Sequence, residues 1–150
     1  MQIKKHDALL AQIKRNSEIQ DFYKNISTEI IIKNKSEVLY LRLDNILYIQ
    51  ADGNYCNIYL ADGGVINTLT YQRAEIARIM DEQLEIIDRK KFALLGRSYI
   101  VNTDYVLRIQ PSKQVLTFRI NRFGTTQKMT IHATAKALTS LANEMEKSNG

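Results

Sequence analysis

One cysteine, two histidines and no long apolar run restrict what this chain can be. Cys56 has no partner for an internal disulfide, which suits a reducing compartment. No stretch approaches the roughly 18 uncharged apolar residues that span a bilayer as a helix. Lys4 and Lys5 are followed only by Ala8-Leu9-Leu10-Ala11 before Gln12, Lys14 and Arg15 restore polarity, so no export signal is read. The expectation is a soluble, cytoplasmic protein with no membrane partner.

Catalytic and metal chemistry is equally thin. His6 and His132 stand far apart, and the close His and Cys spacings of a structural zinc site are missing. Gly63-Gly64 lacks the Lys-Ser/Thr that lets a loop hold nucleotide phosphates, and no Gly-x-Gly-x-x-Gly opens a helix. Cys56 could pair with His132 as nucleophile and base, but the alternation of Tyr55–Leu60 makes it more simply a strand residue. No metal, cofactor, small-molecule substrate or enzymatic activity is expected.

What the chain does have is uneven charge. Its 150 residues fit one domain with one appended element, and its net charge is a modest +5. Residues 29–88 carry five basic against ten acidic side chains, whereas 89–128 hold nine Lys or Arg against Asp104 alone. Clustered cations attract phosphates and release counterions on contact, so this segment reads as a footprint for a polyanion. A solvated basic face that binds nothing is the other reading.

Periodicity gives a coarse architecture. Residues 3–26 place Leu9, Leu10, Ile13, Ile19, Phe22, Tyr23 and Ile26 on one stripe of an amphipathic helix. From Thr28 short β-rich runs follow: Glu29–Ile32, Val38–Leu43, Ile46–Ala51, Tyr55–Leu60 and Val65–Leu69. Asx- and Gly-rich separators, including Asp52-Gly53-Asn54 and Asp62-Gly63-Gly64, suggest a β-meander. A helix from about Gln72 to Asp88 is expected, with Ile76, Ile79, Met80, Gln83 and Ile87 on one stripe and Thr70 as N-cap. Strands resume at Ser98–Val101, Tyr105–Gln110, Val115–Ile120 and Lys128–Ile131, and a helix over Ala133–Lys147 closes the chain. The fold class is therefore mainly β, in small antiparallel sheets, with an N-terminal, an inserted and a C-terminal helix. The division is 1–27 for the first helix and 28–150 for the β-domain.

Three stretches carry a more specific signal. They are Asp44-Asn45-Ile46-Leu47-Tyr48-Ile49-Gln50-Ala51-Asp52-Gly53-Asn54-Tyr55, Phe92-Ala93-Leu94-Leu95-Gly96-Arg97-Ser98-Tyr99-Ile100-Val101-Asn102, and Met129-Thr130-Ile131-His132. In combination and order, the first two resemble the LytTR family of bacterial transcription-regulator output domains, over roughly residues 29–146. The resemblance implies small antiparallel sheets that read duplex DNA through loops and strand ends, entering successive major grooves from one side. By motif position it implies that Asn54, Arg97 and His132 read bases. Tyr55, Ser98, Lys91, Lys113, Arg122 and Lys128 would hold phosphates.

The chemistry fits in part, since Arg can bond guanine O6 and N7 together, Asn can do the same to adenine, and imidazole can donate or accept. Other readings stay open: Asn54 as a turn residue, Arg97 as an ion-pair partner, His132 as a helix cap. Tyr48, Tyr55, Tyr59, Tyr99 and Tyr105 more simply pack a sheet than stack on bases. Three positions depart from the family pattern: Gly96 stands where His is frequent, Leu94 where Arg is, and His132 where Arg is. The segment Arg73–Lys91 is also longer than the pattern leads one to expect.

With some 27 residues before the β-domain, neither the receiver domain nor the membrane segment that most family members follow is expected here. The N-terminal helix is expected to bury its stripe on the β-domain or on a second copy, the latter giving a homodimer that pairs two half-sites. Competing with a DNA-binding regulator is a protein-interaction module of the same fold that has lost DNA binding. Single-stranded nucleic-acid binding has weaker support, for no Lys/Arg-Gly-Phe-Gly-Phe-like run is present.

Overall fold

The computed structural model describes residues 28–149, and the helix expected over 3–26 lies outside them. Strands β1 (Glu29–Lys33) and β2 (Val38–Arg42) form a hairpin. They are followed by β3 (Ile46–Asp52), β4 (Tyr55–Leu60) and β5 (Val65–Leu69), and then by helices α1 (Arg73–Gln83) and α2 (Ile86–Arg89). Next come β6 (Phe92–Leu95) and β7 (Tyr99–Asn102), then β8 (Val106–Gln110), β9 (Val115–Arg122) and β10 (Thr125–His132), and finally α3 (Ala135–Asn149). The strands assemble as a two-stranded sheet β1-β2, a central sheet ordered β5-β4-β3-β7-β6, and a three-stranded sheet β10-β9-β8. Every pairing is antiparallel.

The central sheet is buried on both faces. On one face Ile49, Ile58 and Ile100 pack with Ile30 and Ile32 of β1 and with Ile76 and Met80 of α1. On the other, Leu47, Tyr48, Ala93 and Val101 pack with Leu116, Phe118 and Ile120 of β9 and with Leu138 and Leu141 of α3. Tyr48 joins the layers, stacking on Tyr59 at 4.4 Å between ring centroids and on Phe118 at 5.5 Å. The tyrosines at 48, 59 and 99 thus pack the sheet, as their place in β-rich segments suggested.

Three expectations need correction. The chain is not one meander, because β2 and β3 do not pair. A 3₁₀ turn at Leu43–Asn45 steps from one sheet to the next with Leu43 buried, and the Tyr105 hydroxyl donates to the Asp44 carbonyl. The helix expected over 72–88 is broken. Leu84 is extended (φ −100°, ψ 142°) and buried, so the chain restarts at Ile86 and Ile87 is left 72% exposed. Its start is Gln72, whose amide donates to the Glu75 carboxylate at 3.3 Å, and not Thr70. Finally, Phe92–Leu95 is a strand that periodicity missed. Phe92, Ala93 and Leu95 are buried while Leu94 is 45% exposed, so the outward position carries an apolar residue and the sequence shows no alternation.

Two polar side chains hold the frame together. The Gln83 amide donates to the Ile31 carbonyl and accepts from the Ile31 amide, both at 2.8 Å, completing the open edge of β1 as a strand partner would. Asn102, 2% exposed, donates to the Ile46 carbonyl at 2.9 Å and accepts from the Asp104 amide at 3.1 Å. The closing Asn of the second motif is therefore an internal strut.

Candidate nucleic-acid interface

Three turns meet at one end of the central sheet. The β3–β4 hairpin closes through Gly53-Asn54 between paired Asp52 and Tyr55. Gly53 takes φ +63°, a first position that needs glycine, and Asn54 beside it is exposed. The β6–β7 turn runs through Gly96-Arg97-Ser98 between paired Leu95 and Tyr99, with Gly96 at φ +58°. Because β3 pairs with β7, the Ala51 amide reaches the Ser98 carbonyl at 2.7 Å and the two turns lie side by side.

The third turn is the β10–α3 junction. A Cβ placed on Gly96 would lie 3.6 Å from the Ala137 Cβ, so the start of α3 abuts the β6–β7 turn. Between them runs an open groove of about 550 Å³, lined by Arg97, Ser98, Thr134, Lys136 and Ser140 among others. His132 is two residues from Thr134 in sequence and exposed. The Ala133 amide donates to the Gln114 carbonyl at 3.2 Å, which draws the 3₁₀ turn Pro111–Lys113 to the same end.

Arg73 fixes the middle turn from below, donating to the carbonyls of Gly96 at 2.7 Å and Tyr99 at 3.3 Å. Its charge is used up on backbone. By contrast, the side chains of Asn54, Arg97, Lys113 and His132 make no hydrogen bond or ion pair among the described residues. Tyr55, at the start of β4, is 49% exposed.

The remaining sequence-predicted positions lie elsewhere. Lys91 precedes β6, at the strand end away from Gly96, and its ammonium pairs with Asp88 at 3.5 Å and Asp104 at 3.9 Å. Arg122 ends β9 at that same opposite end, donating to the Ala61 carbonyl and, at 3.2 Å, to Gln127. Lys128 stands midway along β10, exposed. Cys56 is wholly buried in β4, and burial pushes its thiol up, which removes the nucleophile reading.

The model of the LytTr DNA-binding domain family matches residues 36–141. The chain belongs to the LytTr DNA-binding domain family. Among solved structures it is similar to the LytTr domain of a Bacillus cereus protein described as a methyl-accepting/DNA response regulator. Identity is 12%, covering 79% of this chain and 97% of that one, with a TM-score of 0.48. No curated protein matches. No helix among the described residues is long and apolar enough to cross a membrane, and no His, Cys, Asp and Glu group there could hold a metal ion.

Two LytTr-domain residues escaped the sequence reading. Arg73's role depends on a contact 23 positions away and leaves no local signal. Lys136 did leave one: it sits in the first turn of α3, which has no acidic residue, so its charge opposes the helix dipole.

Proposed function

We propose that this LytTr domain is a sequence-specific regulator of transcription that grips duplex DNA with its three-turn end. Arg97 reads guanine through O6 and N7, Asn54 reads adenine, and His132 donates to or accepts from a third base. Tyr55, Ser98, Lys113 and Lys136 hold flanking phosphates. One observation supports this above the others: turns from three distant parts of the chain present exposed polar side chains at one end, with no side-chain partner among the described residues. Lys91 and Arg122, engaged with carboxylates or backbone at the far end, are left out of the contact set.

The test is a salt titration of the full chain on a duplex recovered by genomic-fragment selection and footprinting. With several phosphates neutralised at about −0.9 each, a log–log slope of roughly −3 to −6 is expected. Absence of duplex binding, or binding indifferent to salt, would leave the interaction-module reading in its place.

A further inference from the structure

The outer face of the β10-β9-β8 sheet is a second basic surface, separate from the three-turn end. Strand register puts its members on one side. Arg119 lies directly across from Lys128, Thr117 lies between Arg108 on β8 and Thr130 on β10, and Val115 faces His132. The inner side of the same strands carries Leu116, Phe118, Ile120 and Ile131, all buried. Arg108, Arg119 and Lys128 are exposed and pair with no carboxylate among the described residues. No Asp or Glu occurs anywhere between Asp104 and Glu144.

The arrangement is unfavourable in the free protein. Opposed residues on antiparallel strands hold their Cβ atoms about 5 Å apart, and like charges placed so repel. Arg119 and Lys128 are such a pair, with Arg108 on the diagonal at roughly 7–8 Å. Three exposed cations so spaced, with the Thr130 hydroxyl beside them, Thr117 buried between the strands' side chains and no aromatic surface among them, suit a row of phosphates better than stacked bases or an apolar partner.

We infer that this face binds the phosphodiester backbone of the same duplex, beyond the stretch gripped by the three-turn end. The inference rests on the proposed function above. Continuity supports it: His132 ends β10 at the three-turn end, and Lys128 lies on the same face four residues back, roughly 13 Å at 3.3 Å per residue. A backbone that leaves the turns and curves around this edge crosses Thr130 and reaches Arg119 and Lys128.

The experiment compares the full chain with its Arg119→Gln/Lys128→Gln variant on two duplexes, one just covering the footprinted core and one extended by about ten base pairs on each side. On the extended duplex the variant is expected to lose about 1.8 from the salt slope, at about 0.9 per phosphate. On the short duplex the two proteins should agree. Lys128→Glu, which turns the repelling pair into an attracting one, serves as the check on folding: its melting temperature should rise while affinity for the extended duplex falls. Equal slopes for wild type and double variant on the extended duplex overturn the inference and point to an acidic protein as the occupant, while specific binding to the core leaves the proposed function standing. Failure of the wild-type chain to bind either duplex overturns both.

Discussion

The Ala51 amide donates to the Ser98 carbonyl at 2.7 Å, and this bond joins the two halves of the proposed interface. It ties the end of the first motif to the middle of the second, forty-odd residues later, so that Asn54 and Arg97 share one end of a rigid sheet. The sheet sets the spacing of the two turns, and Gly53 and Gly96, both at positive φ, let each one close.

Arg73→Met removes two charge-assisted bonds to the β6–β7 turn while keeping the aliphatic stem. Urea unfolding should show a loss of about 1–3 kcal/mol. Affinity for specific duplex should fall as well, although Arg73 has no place in the contact set, because the backbone that carries Arg97 is no longer held. Unchanged affinity in a destabilised variant would mean that the turn is positioned by its strands alone.

Asn102→Ala leaves the buried Ile46 carbonyl and the partly buried Asp104 amide without their side-chain partner. An unsatisfied buried polar group costs about 1–3 kcal/mol, so the expected loss is in the upper part of that range, read by urea unfolding. DNA binding by the folded fraction should be unaffected.

The residue pattern made much of this fold legible, and the misses have physical causes. Tyr55–Leu60 and Val65–Leu69 fall where alternation and Gly-Gly or Asp-Gly turns place them. Phe92–Leu95 hid because its outward-facing residue, Leu94, is apolar too, and the break at Leu84 hid because Ile87 keeps the helical spacing although the tertiary structure turns it outward. At the candidate site, motif position located Asn54 and Arg97 together, but no local pattern could say that Lys91 and Arg122 would be drawn to partners at the other end.

Phe123 occupies the first position of the two-residue β9–β10 turn with φ +51°, followed by Gly124 at φ +74°. Positive φ at both positions favours Asn-Gly, and a bulky side chain there costs about 1–2 kcal/mol. Phe123 is 98% exposed and has little burial to lose. Phe123→Asn should therefore raise the melting temperature by about 3–6 °C in a thermal melt.

Burial pushes the Tyr48 hydroxyl up to about 12, helped by the neighbouring tyrosines at 59 and 99. The unfolded chain ionises near 10, so the folded state holds a proton that the unfolded state releases. Stability is expected to be level below pH 10 and to fall as pH rises from about 10 towards 12, by roughly 2–3 kcal/mol at about 1.4 per unit. Tyr48→Phe should make the fall shallower in urea titrations at pH 9 and 11.5, with Tyr99 and Tyr105, also pushed up by burial, supplying the remainder.

Arg97 is exposed, has no partner among the described residues and is mounted on a turn fixed by Arg73 and Ser98, so base reading stands or falls with it. Arg97→Lys keeps the charge and loses the planar fork that bonds guanine O6 and N7 together. The decisive measurement is competition binding of this variant against the selected duplex and a random one, with folding checked by melting. A loss of about 1–3 kcal/mol on the selected duplex with little change on the random one is predicted. Equal losses on both, or none on either, would contradict the account.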